Sequence, residues 1–442
     1  MLCYNHAPIV GMPDSIERPA VVLLGVSGHP RAIAAIRSLG RAGIRVIGVE
    51  REDVLQRAFS RYLHNRVRAN PTAEALLAFL ERQSGRPIVM ALDDDYLITA
   101  SKHVDSLARW GVPTMPRWEH LTRVIDHAML YRIAREIGID TPAFFKPDDE
   151  AALRALVPTL DLGRREYLLK TVPGTVPAEA RNGRYTKIAS GDAGRFEAEC
   201  REIAARLGEF PLIAEIVPGD ATHCIGVCML VDHDHTPVIA YAMKRLQLFT
   251  YSRGGFVHPY ELGANVYCES VHDDEAIDAA TRLVRATGYV GVITVEFRRD
   301  SRTGRLMLLK ADPRFVRATS LSTALGLDLP TALYRLFVER VDAGAESESA
   351  STAPACPAYR EGVAWLWATM YLENFWDNRD NRAVRRELLT LVRNAYRVKS
   401  LAHVSLRDPL PGVMHVQWRA GVWLADRARG LVRRLRNRSP SR

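Results

Sequence analysis

The stretch Gly291–Arg314, GVITVEFRRDSRTGRLMLLKADPR, is the most informative part of this sequence. Its segments Gly291–Arg298 and Arg305–Leu309 predict two β-strands, and the polar residues between them, which include a glycine, predict a hairpin. Four of the charged residues in or shortly after these strands are Glu296, Lys310, Asp312 and Arg314. They are the first candidates for a functional site.

The N-terminal part of the chain predicts a parallel α/β sheet. The apolar run Val21–Gly25 is followed by a turn, by a helical pattern that includes Ile36, and by a second apolar run, Val46–Val49. Another strand is predicted at Pro87–Leu92. This strand–turn–helix–strand order is typical of α/β domains.

Two features of this α/β region have alternative interpretations. The turn Gly25–Gly28 resembles a dinucleotide-binding loop, but the second and third glycines of that motif are not in place, so we favour an ordinary tight turn. Asp93–Asp95 ends a predicted strand and either lines a substrate cleft or is an exposed acidic strand end. We favour the second interpretation.

From Asp126 onward the pattern changes to mixed helices and hairpins, which predicts an α+β domain. The predicted helices are Asp126–Ile137, Phe196–Leu207, Asp274–Thr287 and Leu329–Arg340. The predicted strands, besides the two of the stretch Gly291–Arg314, are Tyr167–Thr171, Tyr185–Ser190, Leu212–Val217, Cys224–Val231 and Val238–Lys244. The last two strands form a hairpin around the polar turn Asp232–Thr236.

Composition excludes several classes of protein. With 442 residues, 47% hydrophobic and 25% charged, the chain is long enough for about two to four domains and is neither disordered nor fibrous. No run approaches the ~20 apolar residues of a membrane span. The first residues lack the pattern of a signal peptide. The six cysteines form no CxxC pair, which indicates scattered thiols in a reducing, cytoplasmic compartment.

The positive charge is concentrated at the C-terminus. Of the net charge of +9, eight arginines and one aspartate of residues 413–442 supply +7, so the body is nearly neutral and no nucleic-acid partner is predicted. Only seven of the 60 basic residues are lysines. A lysine that is retained in such a sequence can place a compact ammonium against a phosphate.

The order and spacing of these elements between about 20 and 340 resemble the ATP-grasp superfamily, whose members join a carboxylate to an amine or thiol through an acyl phosphate. The branch that it resembles includes D-aspartate ligase and the large subunit of carbamoyl-phosphate synthase. The resemblance implies a Rossmann-like pre-ATP-grasp domain at 20–118 and a two-lobed ATP-grasp domain at 119–341, after an N-terminal extension at 1–19.

The resemblance implies an ATP site between the two lobes. Lys170, at the end of the strand YLLK, would meet the α-phosphate, and the loop 172–186 with Lys187 would close over the phosphates. The stretch from Glu215 to Asp220 resembles the hinge that holds adenine and ribose. The remaining residues implied at the nucleotide are Ile216, Val217 and Asp220 of this hinge, Lys244, and His127, which stands where the family usually has lysine.

The stretch Gly291–Arg314 resembles the catalytic motif "L-L-E-x-N-P-R" of the family. Glu296 and Asp312 are implied as ligands of Mg²⁺ or Mn²⁺, and Arg314 as a cation near the γ-phosphate. Arg253, beside two glycines, is implied at the transferred phosphate, although a solvated loop arginine fits the sequence equally well. Lys310 departs from the pattern, because it replaces the glutamate that bridges two metal ions. We therefore expect either one ion instead of two, with Lys310 neutralising phosphate, or a site without turnover.

Three functions follow, in order of preference. The first is an ATP-dependent ligase that joins a small-molecule carboxylate, such as an amino acid, to an amine. The second is a nucleotide-binding protein with damaged chemistry and a regulatory or scaffolding role, which Lys310 and His127 favour. The third is a nicotinamide oxidoreductase, which rests on Gly25–Gly28 alone.

The C-terminal region is expected to be separate from the ATP-grasp body. Residues 342–360 read as a low-complexity linker, and 361–442 as a small, mainly helical module with five tryptophans and a basic tail. Trp418 and Trp423 either pack on the body, which we favour, or lie with the arginines at an anionic membrane surface. A homodimer is left open.

Overall fold

The computed structural model describes residues 18–170, 185–188, 193–249, 264–342, 356–377 and 382–421. The strands within these ranges form three sheets of five, four and seven strands. No helix in these ranges is both long and apolar enough to cross a membrane.

The first sheet is parallel, as predicted for the N-terminal domain, with the strand order β3-β2-β1-β4-β5. Its strands are β1 (Val21–Leu24), β2 (Val46–Glu50), β3 (Asn65–Arg68), β4 (Ile88–Ala91) and β5 (Val112–Pro113). Its helices are α1 (Pro30–Arg41), α2 (Ala73–Glu81), α3 (Asp94–Lys102), α4 (Val104–Leu107) and α5 (Trp118–Ile125). The strand order changes direction between β1 and β4, and ligands of open α/β sheets bind beyond the carboxyl ends of such strands.

The second sheet is antiparallel, with the order β6-β9-β7-β8. Its strands are β6 (Phe144–Phe145), β7 (Tyr167–Lys170), β8 (Tyr185–Ile188) and β9 (Leu212–Glu215). The helices of this region are α6 (His127–Glu136), α7 (Glu150–Leu156) and α8 (Ala193–Leu207). Helix α6 begins one residue after the predicted start, because Asp126 caps it: the Asp126 carboxylate accepts hydrogen bonds from the N–H groups of Ala128 and Met129 at 2.8 and 3.2 Å.

The third sheet has the order β14-β13-β10-β11-β12-β15-β16. Its strands are β10 (Cys224–Val231), β11 (Pro237–Phe249), β12 (Ala264–Val271), β13 (Gly291–Arg299), β14 (Leu306–Asp312), β15 (Ala364–Leu366) and β16 (Val398–Leu401). The helices that follow its strands are α9 (Asp274–Thr287), α10 (Thr319–Ala324), α11 (Leu329–Asp342), α12 (Ala368–Asp377), α13 (Arg382–Arg393) and α14 (410–421). The stretch Gly291–Arg314 therefore forms a hairpin, β13–β14, at one edge of this sheet.

The described residues of the C-terminal region are mainly helical, but the region is not a separate module, and that part of the expectation is corrected. β15 pairs with β12 and β16 pairs with β15, so residues beyond 361 extend the seven-stranded sheet. The physical reason is burial: Trp365 of β15 is fully buried in the same core cluster as β1 and β10 residues. The body of the protein therefore covers Trp365 and Trp367, whereas Trp376 of the same region is 63% exposed.

A buried ion pair fastens the C-terminal region to the N-terminal domain. The Arg37 Nε donates to Asp408 Oδ2 at 2.9 Å, and both side chains are less than a tenth exposed. Asp408 also accepts hydrogen bonds from the Ser60 hydroxyl at 2.8 Å and from the Arg61 N–H at 3.0 Å. The Asp408 carboxylate is therefore satisfied entirely by groups of the first domain.

Candidate functional site

The hairpin β13–β14 brings Glu296 and Lys310 together. The antiparallel register places these two residues opposite each other. The Lys310 ammonium lies 2.7 Å from Asp312 Oδ2 and 3.5 Å from Glu296 Oε2. Lys310 thus bridges the two carboxylates that the family resemblance assigns to magnesium.

Arg245 is a second cation on Glu296, and the sequence analysis missed it. Gly226 of β10 pairs with Glu296 on one side and with Met243 on the other. Arg245 follows Met243 by two residues and so lies on the same face of the sheet as Glu296, and its guanidinium forms an ion pair with Glu296. Burial alone would raise the pKa of Glu296, but Arg245 and then Lys310 outweigh burial and hold the pKa below its ordinary value.

Lys244 does not join this group. Successive side chains of a strand point to opposite faces, so Lys244 lies on the face opposite to Arg245. It pairs with Ile225 and Glu269 in the sheet. The sequence analysis selected Lys244 because it is the one lysine of this strand. The alternation of side chains along the strand instead brings Arg245 to the cluster.

Arg314 connects the hairpin to the first domain. Its Nε donates to Asp94 Oδ1 at 2.5 Å, and one of its terminal nitrogens lies 3.7 Å from Asp312 Oδ1. Asp94 begins α3 at the carboxyl end of β4, and Asp95 pairs with Arg51 at 2.6 Å. The favoured interpretation of this acidic run as an exposed strand end is therefore wrong, because these carboxylates are half-buried and ion-paired.

Lys170 reaches from the four-stranded sheet to the seven-stranded one. Its ammonium donates to the Tyr131 hydroxyl at 2.7 Å and to the Leu309 carbonyl at 3.3 Å, and the Tyr131 hydroxyl itself donates to that carbonyl at 2.6 Å. Burial, together with the nearby Lys310, lowers the pKa of Lys170 to about 7. Lys170 therefore lies within the same cluster, as predicted, and its charge depends on pH near neutrality.

His127 is the first residue of α6 and is buried beside Lys170. Its ring stacks on Tyr131 with the centroids 6.2 Å apart and the planes at 20°. Burial, then the charges of Lys170 and Lys310, lower its pKa well below the ordinary value. The imidazole is neutral at physiological pH, so it can donate a hydrogen bond but supplies no positive charge.

The predicted adenine hinge lies at the end of β9. The Glu215 carboxylate pairs with Arg165 at 2.6 Å and with Arg302 at 3.1 Å. The Ile216 N–H donates to the Glu166 carbonyl at 2.8 Å.

Two further hinge residues also have partners within the protein. The Val217 carbonyl accepts from Arg298 at 3.1 Å. Asp220 caps the short turn Ala221–His223, accepting from the Thr222 N–H at 2.8 Å. The role of Glu215, Ile216, Val217 and Asp220 at adenine and ribose stays a prediction.

Two of the predicted phosphate contacts cannot be placed. Arg253 and residues 172–184 of the predicted loop lie outside the described residues. Of Lys187 only the backbone is described, on β8 opposite Leu168 of β7. Trp418 of the C-terminal region is half-buried, 6.1 Å from the ring of His415, while Trp423 lies outside the described residues.

Three basic residues that the sequence did not reveal lie beside Arg314, at the crevice between β1 and β4. They are His29, Arg31 and Arg317. Arg31 is in the first turn of α1, and Arg317 donates from Nε to His29 Nε2 at 3.2 Å. Burial, then the charge of Arg314, lowers the pKa of Arg31 to about 9, although Asp94 and Asp93 partly oppose this. Within the described part of the chain, no hydrogen bond or ion pair engages the Arg31 guanidinium. This position therefore suits an incoming anion.

The residues present do not fit a divalent metal ion. Mg²⁺ needs several oxygen ligands, yet Glu296 and Asp312 each face cations of the protein at ion-pair distance. Nowhere in the described ranges do three or more Asp, Glu, His or Cys side chains form a group that could hold a metal. The magnesium prediction therefore rests on the family resemblance alone.

Comparisons with known proteins define the class of fold. No protein-family model matches the chain, and no curated protein is significantly similar to it. Solved structures do match it. N5-carboxyaminoimidazole synthetase from Staphylococcus aureus gives a TM-score of 0.52 at 11% identity, over 73% of this chain and 78% of that one. Biotin carboxylase from Campylobacter jejuni, in a complex with an ATP compound, gives 0.53 at 14% identity, over 72% and 70%.

Pyruvate carboxylase from Rhizobium etli gives a TM-score of 0.54 at 12% identity over 73% of this chain, but the match spans only 28% of that longer protein. These structures are ATP-grasp proteins, and the chain has the ATP-grasp fold. The similarity does not single out the branch of D-aspartate ligase.

Proposed function

We propose that this protein is an ATP-dependent ligase that joins a carboxylate to an amine through an acyl phosphate. The observation that carries the proposal is the bridge from Lys170 to β14. The Lys170 ammonium of one sheet lies 3.3 Å from the Leu309 carbonyl of the other sheet. Leu309 directly precedes Lys310, so the two lysines are close to each other. Cations from both sheets therefore lie close together on an ATP-grasp fold, at the position where a polyphosphate would be held.

Each group of residues has a role in this proposal. The hinge at Glu215–Val217 would hold adenine, and Lys170 the inner phosphates. Lys310 and Arg314 would face the terminal phosphate, because they follow one another along the edge hairpin. Preorganised cations of this kind supply most of the catalysis in phosphoryl transfer.

The acceptor would enter from the first domain. Arg31 and Arg317 lie beside Arg314 and would hold an anionic acceptor in line with the γ-phosphate. A carboxylate oxygen then attacks the γ-phosphorus and ADP leaves. The amine next attacks the carbonyl carbon of the acyl phosphate, phosphate leaves, and the nitrogen loses a proton. Holding both partners in one crevice supplies the proximity that this sequence needs.

A second function stays open because of one observation. Lys310 pairs with both Glu296 and Asp312, so a site that once held metal could bind nucleotide without turnover. The protein would then act as a regulatory or scaffolding partner. The closer placement in the branch of D-aspartate ligase, and the domain limits at 118 and 341, remain part of the proposal.

A screen for ADP release separates the two functions. Pairs of amino acids and small peptides are incubated with ATP, with and without Mg²⁺ or Mn²⁺. ADP release that depends on one acceptor, together with a new ligated product by mass spectrometry, supports the ligase. Tight ATP binding without release from any pair supports the non-catalytic function. Failure to bind ATP contradicts both.

A further inference from the structure

The cluster on the β13–β14 hairpin is balanced in charge without any bound ion. Its three carboxylates are those of Glu296, Asp312 and Asp94, and its three permanent cations are Arg245, Lys310 and Arg314. Every carboxylate of the cluster faces at least one of these cations at ion-pair distance. A divalent cation placed here would lie against three positive charges of the protein itself.

The ammonium of Lys310 has the central position in this cluster. It lies between the two carboxylates, 2.7 Å from Asp312 and 3.5 Å from Glu296. Arg245 closes the far side of Glu296, and Arg314 lies on the far side of Asp312. A metal ion bridging the same two carboxylates would have to displace Lys310.

Lys310 is also the most exposed member of the cluster. Its side chain is 30% exposed, whereas those of Glu296 and Asp312 are 8% and 18% exposed. An ammonium has three N–H donors and can serve a phosphate oxygen while it is held by carboxylates. The buried carboxylates thus position the cation, and the cation faces the place where phosphates would lie.

We propose that Lys310 is the resident cation of this site: its ammonium replaces the divalent metal between Glu296 and Asp312, and the nucleotide binds as the metal-free anion. This inference rests on the proposed nucleotide site. It concerns how the phosphates are neutralised and holds whether or not the protein completes ligation. Lys310 acts here as a binding residue for a polyphosphate.

Calorimetric titration with ATP, in EDTA and in excess Mg²⁺, tests the inference. For the wild-type protein we expect an affinity in EDTA equal to or tighter than that in Mg²⁺. Lys310→Glu should reverse this, with binding about tenfold or more weaker in EDTA than in Mg²⁺. Lys399→Glu is the matched control, because Lys399 is an exposed lysine of the same sheet on its opposite edge strand, β16. It should behave as the wild type.

Electron paramagnetic resonance spectra of Mn²⁺, recorded without nucleotide, give a second, independent readout. The wild-type protein should leave Mn²⁺ free, whereas Lys310→Glu, or Lys310→Met if the first variant does not fold, should bind it. Wild-type binding of ATP that requires Mg²⁺, or wild-type binding of Mn²⁺ at this site, overturns the inference. Absence of ATP binding in every condition contradicts the proposed function instead, and the manganese spectra then still decide whether Lys310 excludes a metal.

Discussion

Lys170→Met is the substitution that probes the nucleotide site most sharply. Methionine keeps most of the volume of the lysine but removes the ammonium that donates to Tyr131 and Leu309. One charge-assisted hydrogen bond to a phosphate is worth about 1.5–3 kcal/mol, so ATP affinity should fall about ten- to a hundredfold below pH 7. Lys146→Met, in which the lost lysine pairs with Glu209 at 3.2 Å, is the matched control.

The effect should depend on pH in a definite direction. Burial lowers the pKa of Lys170 to about 7, so above this pH the ammonium must first gain a proton before it can hold a phosphate. Each pH unit above the pKa of Lys170 weakens the free energy of ATP binding by about 1.4 kcal/mol. ATP affinity of the wild type should therefore weaken by about tenfold per unit above pH 7 and level off below it.

Lys170→Met should bind ATP with little of this dependence on pH. Titrations in two buffers of different ionisation enthalpy should show that the wild type takes up a proton with ATP near pH 8 and that the variant does not. A wild-type affinity that is flat between about pH 6 and pH 8.5, or a variant that binds as tightly as the wild type at pH 6, would refute the reasoning.

The same pKa has a consequence for stability. Lys170 titrates at about 7 in the folded protein instead of at 10.5, so the unfolded chain binds more protons between these values. Its contribution to the free energy of unfolding should rise with pH over this window. Lys170→Met should lack this slope and be at least as stable as the wild type at pH 7. Urea unfolding at several pH values measures both.

Three further outcomes are expected. Asp408→Ala should lower the free energy of unfolding by about 3–5 kcal/mol in urea, because it leaves the buried Arg37 without its partner, whereas the exposed control Asp278→Ala should cost about 0.5 kcal/mol or less. Equal losses would contradict the account of a buried ion pair. Arg31→Met should raise the KM for the acceptor about tenfold and leave the Kd for ATP unchanged in steady-state kinetics and calorimetry; a change in ATP affinity alone would place Arg31 at the nucleotide. Glu296→Gln should destabilise the protein by about 3 kcal/mol, since Arg245 loses its charged partner, and thermal unfolding that matches the wild type would show that the pair is dispensable.

The sequence predicts best the elements whose limits are fixed locally. Helix α9 was predicted residue for residue, because Asp273 caps its first turn and Gly288 ends it with a φ of +66°. Strands β3, β5, β12, β15 and β16 were missed. The pairing of β12 with β15 joins segments that are far apart along the chain, and β15 and β16 have only three and four residues, so local sequence says little about them.

The site was predicted along the chain but not across it. Lys170, Lys310, Asp312 and Glu296 do lie together, as motif order suggested. The contact of Arg314 with Asp94 joins residues 220 positions apart, and that of Arg317 with His29 joins residues 288 apart. Such pairs are set by how the domains dock, and a single sequence carries no signal for them.

Hydrogen–deuterium exchange with and without ATP tests the central claim most directly. If the nucleotide lies between the two sheets, ATP should slow amide exchange in peptides that cover β7, the end of β9 and the β14 segment up to Arg314. Peptides across the turn at Gly25–Gly28 should be unaffected by ATP alone. Protection at that turn, with no change in β7, β9 and β14, would contradict the account and place the nucleotide in the first domain.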